Sequence, residues 1–141
     1  MKTNQAHAFW KGNLKDGNGR MQFENSDTEF PFSFKSRFEE GVGANPEMLI
    51  GSAHAGCFSM AFSNILAEEG YEPVEVATKA KIKLEVVDGA PTITTSHLDV
   101  VAEVPNIEEN VFQELATKAK ENCPVSRALG SIHITMEAKL R

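Results

Sequence analysis

The longest run without a charged side chain, residues 48–67, constrains the fold of this chain more than any other feature. Asn45 is a favourable N-cap, Pro46 suits the first helical turn, and Glu47 places an anion near the helix N-terminus. Gly70 can adopt the positive φ that commonly follows the last turn of a helix. These signals predict one long helix over residues 46–69.

The composition of this helix indicates how it is surrounded. The uncharged run is long enough to cross a membrane, but it carries several polar side chains and its flanks are rich in glutamate rather than lysine and arginine. We therefore expect a buried helix of a soluble protein. It is apolar nearly all round and rich in glycine, alanine and serine, so neighbours approach it closely on several sides. A single domain of 141 residues rarely encloses such a helix, which points to a partner subunit.

The segment before the helix is typical of short strands. Residues 6–12 are weakly strand-like, and the turn at 15–19 leads into a second strand at 20–24. Phe30, Phe32 and Phe34 then alternate as on a half-buried strand, and Pro31 favours an edge position for it.

The segment after the helix alternates between strand and helix signals. Two strands flank a turn at residues 88–91, and an amphipathic helix follows that we expect to begin at a capping box of Asn106 and Glu109 and to end near Asn122. A last alternating strand occupies residues 132–140. With no repeat or linker in the chain, the prediction is a single α+β domain over residues 1–141, with sheets around a long central helix.

Charge and cysteine content exclude several functions. The net charge of −6 and the absence of a lysine or arginine cluster argue against a nucleic-acid partner. The N-terminus has no apolar segment of the kind that directs export, so we expect a cytoplasmic protein in which a permanent disulfide is disfavoured and a transient one is possible. The two cysteines lie 66 positions apart and form no CxxC motif, so they match no zinc spacing.

Cys123 lies at a forced break in the backbone, in the stretch KENCPVSRALG. Pro124 suits the first turn of a new short helix, so Cys123 would be its N-cap, where free N–H groups lower a thiol pKa. Cys57 lies inside the long helix, next to Gly56 and three residues after His54. Judged by these residues alone, an inert core cysteine is favoured at both positions, and His54 is most simply a buried, hydrogen-bonded histidine.

The charged candidates are Arg37 and Glu47. Arg37 follows the phenylalanine-rich strand and is flanked by Glu39 and Glu40, so it could be a solvated arginine with surface partners. The functional interpretation is a guanidinium placed beside a thiolate and held there by a carboxylate.

Two motifs together resemble a known family. NPEMLIGSAHAGCFSMAFS and CPVSRAL, with SRFEEGVGANPE before the helix, closely resemble the OsmC family, the osmotically inducible relatives of the organic hydroperoxide resistance (Ohr) proteins. The residue sequences of both cysteine motifs are more similar to OsmC than to Ohr. The resemblance extends over nearly the whole chain. It implies an intertwined homodimer in which two central helices pack between antiparallel sheets shared by both subunits.

The resemblance also implies an activity and a site. The activity is a thiol peroxidase that reduces organic hydroperoxides to alcohols in oxidative and osmotic stress defence, without a metal, haem or flavin. By motif match, Cys57 is the peroxidatic cysteine and Cys123 the resolving cysteine. Arg37 and Glu47 are the charged pair that activates Cys57, and Glu47 fixes the Arg37 guanidinium plane through a bidentate pair. An external dithiol, of lipoyl type by family analogy, would reduce the Cys57–Cys123 disulfide.

Helix geometry adds an expectation about which subunit supplies Glu47. Glu47 and Cys57 are ten residues apart on the predicted helix, which corresponds to about 15 Å along its axis. One arginine does not comfortably bridge that distance within a straight helix. If both residues serve one site, Glu47 most simply comes from the partner chain.

Two other classes of protein stay open. A long helix wrapped by sheets also suits a hotdog-type thioesterase, which needs an acid or histidine at the helix start and gives neither cysteine a role. The third class is a non-catalytic dimeric binding protein with inert cysteines. A thiol titration separates them, because a reactive Cys57 at neutral pH favours the peroxidase.

Overall fold

The computed structural model describes all residues, 1–141, as two compact units, Met1–Leu49 and Ile50–Arg141. The predicted single domain over residues 1–141 stays a prediction. The α+β class with a long helix and two sheets is confirmed.

The first unit contains a three-stranded antiparallel sheet of β1 (Ala6–Lys11), β2 (Asn18–Phe23) and β3 (Glu29–Phe32), in that order. Pro31 lies on the edge strand β3, as predicted, where its missing N–H costs no ladder hydrogen bond. Phe34, however, is not on the strand. Ser33 and Ser36 form a reciprocal capping box that starts the short helix α1 (Phe34–Phe38). Arg37 follows the strand, as expected, and lies on this short helix.

The long helix α2 (Pro46–Glu68) confirms the prediction from the sequence. The Asn45 side chain caps it by accepting the N–H of Met48 at 2.8 Å. After the last turn, Gly70 has a φ of 90°, which a residue with a side chain rarely adopts.

The second unit contains the rest of α2 and a second sheet, ordered β4 (Glu75–Val87), β5 (Ala90–Glu103) and β6 (His133–Leu140). A two-residue turn with positive φ at Asp88 and Gly89 joins β4 to β5. Helices α3 (Glu109–Asn122) and α4 (Pro124–Ala128) connect β5 to β6, which pairs with β5 in parallel. This sheet is therefore mixed, whereas antiparallel sheets were expected.

The predicted capping box at the start of α3 is wrong. The N-cap is Glu108, whose side chain makes no capping hydrogen bond, and Asn106 adopts a positive φ of 64° before it. Asn106 is one of the residue types that tolerate this conformation, so its place in the sequence is explained by the turn rather than by a cap.

The core of the second unit forms where one face of α2 meets β5 and α3. Phe58, Phe62 and Leu66 of α2 are fully buried there, against apolar residues of β5 and α3. The opposite side of α2 carries Met60, which is 78% exposed. By length and composition alone, α2 could cross a membrane, and 28% of its most apolar stretch is buried within the chain. A core helix of a soluble protein passes the same test.

Candidate active site: a dithiol and an arginine–glutamate pair

The two cysteines lie together in the second unit. Cys57 is half-buried on α2, and Cys123 is fully buried between the end of α3 and the start of α4. Both are free thiols that interact directly, so that each changes the pKa of the other. The structure thus brings together two residues that are 66 positions apart in the sequence.

Cys123 is the N-cap of α4, as the position of Pro124 predicted. Its sulfur accepts the backbone N–H of Ser126 at 3.4 Å. Pro124 occupies the first helical position, where the absence of an N–H is harmless. The helix break therefore orients the Cys123 sulfur towards free backbone donors.

The pKa values of the two thiols move in opposite directions. Burial raises the pKa of Cys57, and contact with Cys123 raises it further, against a smaller opposing effect from the Val125 backbone. Burial also acts to raise the pKa of Cys123, but hydrogen bonds from Cys57 and Ser126 outweigh it and the pKa lies below its ordinary value. Within this unit the surroundings favour the thiolate on Cys123 and disfavour it on Cys57. A thiolate on Cys57 therefore needs a further positive charge.

Arg37 and Glu47 form the second pair, in the first unit. Arg37 donates from Nε at 3.2 Å and from Nη2 at 3.0 Å, and both bonds end on Oε1 of Glu47. Two guanidinium nitrogens thus bind Glu47, and both converge on a single carboxylate oxygen. Glu47 is only 7% exposed, and its buried Oε2 has no hydrogen-bond partner. One carboxylate oxygen thus remains as an unused acceptor.

A small set of hydrogen bonds brings these two residues together. The Asn45 amide donates to the Ser36 carbonyl at 2.7 Å, and the Ser36 hydroxyl donates to the Ala44 carbonyl at 2.7 Å. These bonds tie α1 to the segment that starts α2, so Arg37 and Glu47 meet although ten residues separate them. The Arg37 guanidinium also lies 5.3 Å from the ring centroid of the neighbouring phenylalanine, a cation–π distance. The charged pair and the dithiol belong to different units of the chain.

His54 is fully buried and both of its ring nitrogens are hydrogen-bonded. Nδ1 lies 2.7 Å from the hydroxyl of Ser96 and Nε2 lies 2.8 Å from the hydroxyl of Ser126. Burial lowers the pKa of His54, so the imidazole is neutral at physiological pH. Sequence reasoning did not identify Ser96 or Ser126. Only the position of Ser126 in the CPVSRAL motif, three residues after Cys123, offered a signal.

No group of three or more histidine, cysteine, aspartate or glutamate side chains could hold a metal ion. The reactive groups that the chain itself provides are two thiols, a guanidinium and a carboxylate.

The second unit thus contains a long helix that bears one cysteine, with a second cysteine at a helix break beside it. The family model for OsmC-like proteins matches residues 39–138, and the chain belongs to this family. Peroxiredoxin OsmC of Escherichia coli K12 is 41% identical over 141 residues, which cover 99% of this chain and 96% of that protein. The resemblance identified from the motifs is confirmed.

Ohr proteins are more distant relatives. Organic hydroperoxide resistance protein OhrB of Bacillus subtilis is 26% identical over 124 residues, which cover 86% of this chain and 89% of that protein. The higher identity to the OsmC relative supports the OsmC subgroup expected from the motifs.

Solved structures show the same fold. An organic hydroperoxide resistance protein from Elizabethkingia anophelis superposes with a TM-score of 0.77 at 25% identity, with 100% of both chains covered. The crystal structure of OhrB from Bacillus subtilis gives a TM-score of 0.73 at 22% identity and covers 96% of this chain and 98% of that one. Family membership separates the chain from the hotdog-type thioesterases, which had stayed open on the sequence.

Proposed function

We propose that this protein is a thiol peroxidase that reduces organic hydroperoxides to alcohols in oxidative and osmotic stress defence. The observation that carries the proposal is the direct contact between Cys57 and Cys123, two free thiols distant in sequence. A buried dithiol of this kind can form a disulfide with little rearrangement. The named OsmC and OhrB relatives support a peroxidase-type activity.

The reaction begins at Cys57. Its thiolate attacks the terminal oxygen of the hydroperoxide, the O–O bond breaks, and the alkoxide leaves and takes up a proton to become the alcohol. Cys57 is thereby oxidised to a sulfenic acid. The Cys123 sulfur then attacks the Cys57 sulfur, the S–O bond breaks, and the departing hydroxide combines with the proton lost from Cys123 as water. An external dithiol returns the Cys57–Cys123 disulfide to two thiols.

Arg37, held in place by Glu47, would supply the positive charge that a thiolate on Cys57 needs. Because burial and Cys123 both raise the pKa of Cys57, a guanidinium beside its sulfur would favour the thiolate and stabilise the departing alkoxide. Glu47 would hold the guanidinium, since two of its nitrogens donate to the same carboxylate oxygen. The unused Oε2 of Glu47 could accept one further hydrogen bond in the assembled site.

A homodimer would supply a second copy of α2 to cover the side of this helix that one chain leaves exposed. The exposed side of α2 within the second unit presents Ala53, Gly56, Met60 and Asn64, which recur at helical spacing. A side chain added at Gly56 would contact nothing within 4 Å, so this side of the helix has room for a close neighbour. A second copy of α2 fits such a small-residue face, and this would account for the apolar character of the helix all round.

The Arg37–Glu47 pair would then act on Cys57 of the partner subunit, giving two shared sites per dimer. The support is the rise of about 15 Å between helix positions ten residues apart. To test this, Glu47→Gln and Cys57→Ser proteins, each poorly active alone, are unfolded and refolded together, and mixed dimers are verified by mass spectrometry. One site of a mixed dimer would combine an intact Cys57 with an intact Glu47 from the other chain, so activity should return.

A site within one chain could not be restored in this way, because every intact Cys57 would belong to the chain that carries Glu47→Gln. Verified mixed dimers without regained activity would therefore rule out the shared site.

The substrate class and reductant follow from the same proposal. The apolar side chains of α2, among them Phe58, Met60 and Phe62, would favour organic hydroperoxides over hydrogen peroxide. The reductant would be a dithiol, of lipoyl type by family analogy. A reducing cytoplasm would keep both thiols free between turnovers.

The deciding experiment is mass spectrometry after one equivalent of cumene hydroperoxide. We expect a loss of two hydrogens and a Cys57–Cys123 bridge in peptides prepared without reduction. The Cys123→Ser protein should instead gain one oxygen at Cys57. A non-catalytic binding protein with inert cysteines would show neither change, and that result would refute the proposal.

A further inference from the structure

A buried chain of hydrogen bonds ends at Cys123. Ser96 on β5 contacts His54 at 2.7 Å, His54 contacts the Ser126 hydroxyl at 2.8 Å, and the Ser126 backbone N–H donates to the Cys123 sulfur at 3.4 Å. Ser96, His54 and Cys123 are fully buried, and Ser126 is 5% exposed. The proposed reaction does not use Ser96, His54 or Ser126, yet the chain of bonds joins three elements around the dithiol.

The direction of these hydrogen bonds follows from the chemistry of the groups. A neutral imidazole has one N–H donor and one acceptor nitrogen. A hydrogen bond from the Ser126 hydroxyl lowers the pKa of the Cys123 thiol, in addition to the bond from the Ser126 backbone N–H. If Ser126 donates its hydrogen to the sulfur, its oxygen is free to accept from Nε2–H of His54. Nδ1 then accepts the hydroxyl hydrogen of Ser96, and each bond in the chain has one donor and one acceptor.

We propose that His54 is a positioning residue for the resolving cysteine, holding the Ser126 hydroxyl as a donor to the Cys123 sulfur. His54 acts through Ser126 and does not touch the reacting atoms. A sulfur that receives both the N–H and the O–H of Ser126 is held as a thiolate and kept in place for attack on Cys57. His54 does not take the proton itself, because charging a fully buried imidazole is costly and burial already lowers its pKa.

The position of His54 fits this role. It lies one turn before Cys57 on α2, so a bond from His54 to α4 fixes the start of α4 against the part of α2 that carries the other cysteine. Ser96 fixes the imidazole ring from the opposite side. The relevant step is the one in which the Cys123 sulfur attacks the Cys57 sulfenic acid and releases water. The kinetic consequence rests on the proposed peroxidase function, whereas the hydrogen-bond chain can be tested without peroxide.

The first test titrates Cys123 alone, by the ultraviolet absorbance of the thiolate, in full-length protein carrying Cys57→Ala. Adding Ser126→Ala or His54→Leu should move the titration to higher pH, and at the midpoint of the parent the ratio of thiolate to thiol should fall about tenfold. With His54→Gln in place of His54→Leu, most of the thiolate should be retained, because the glutamine amide can still donate to Ser126. Ser59→Ala is the matched control, since it removes a hydroxyl on α2 that donates to Thr78 at 2.7 Å, on the neighbouring strand β4.

The decisive variant is Ser126→Ala, which removes a single oxygen atom. If its titration coincides with those of the parent and Ser59→Ala, the inference is overturned. A merely structural role would lower the unfolding temperature of both serine variants and leave the Cys123 titration unchanged.

The second test follows one turnover in the chain with both cysteines. In Ser126→Ala the sulfenic acid should form at the parent rate, while the disulfide should form about tenfold more slowly. Equal disulfide rates would contradict the role in resolution. If the parent itself does not react with hydroperoxide, the proposed function fails, and the titration still decides whether His54 and Ser126 control the Cys123 thiol.

Discussion

Replacing Arg37 by lysine separates the charge of the guanidinium from its geometry. In the structure, Nε and Nη2 of Arg37 converge on Oε1 of Glu47 at 3.2 and 3.0 Å. A lysine ammonium keeps the positive charge but has no planar fork, so it replaces at most one of these two bonds without fixing an orientation.

The expected stability change is small. A hydrogen bond to a buried charged group contributes about 1.5–3 kcal/mol. The Arg37 side chain is 37% exposed, however, so solvent screens the pair. The free energy of unfolding should therefore fall by about 1 kcal/mol or less.

The expected kinetic change is larger. If the guanidinium stabilises the departing alkoxide from a fixed position, its loss should lower kcat/KM by about tenfold or more, equivalent to about 1.4 kcal/mol of transition-state stabilisation. The assay is peroxide consumption with excess dithiol, paired with urea denaturation of the same sample. The loss of activity should exceed the loss of stability.

Arg20→Lys provides the matched control. Arg20 is an exposed residue on β2, so the same substitution there should change neither measurement. An Arg37→Lys protein that is folded and has the kcat/KM of the parent would show that Arg37 is a surface residue. That result would refute the claim that the planar guanidinium geometry contributes to catalysis.

Three further predictions concern the cysteines, the helix surface and pH. Cys57→Ser should abolish peroxide consumption, whereas Cys123→Ser should react once and then stop as a sulfenic acid or overoxidise; full turnover by Cys57→Ser would contradict the assignment. Met60→Asp should convert the proposed dimer to monomer in light scattering, because it places a charge on the exposed apolar side of α2, while Val86→Asp, at a site 73% exposed on β4, should not. Burial lowers the pKa of His54 from 6.5, so the folded state binds fewer protons than the unfolded state and stability should decrease as pH falls below that value. Urea denaturation at about pH 7.5 and pH 5.5 should show a smaller decrease in His54→Gln than in the parent, and equal decreases would mean that His54 does not contribute.

Local signals in the sequence predicted several features that depend on neighbours in the chain. The Asn45 cap and Gly70 defined the long helix to within one residue at its C-terminal end. Pro124 placed Cys123 at the start of α4. The errors were also local. Ser33 and Ser36 began a helix where alternating phenylalanines indicated a strand, and Asn106 formed a turn where a cap was expected.

The sequence by itself thus determined the helix, the position of Cys123 at a backbone break and, through its motifs, the family. The tertiary structure decided which of these residues meet. Considered alone, both cysteines looked like inert core residues, and only their contact in the folded chain makes them a dithiol. The same holds for His54, whose hydroxyl partners lie 42 and 72 residues away. Caps and turns are encoded by residues that touch along the chain, whereas a buried hydrogen bond between distant side chains has no local pattern and exists only once the packing of α2, β5 and α4 brings its partners together.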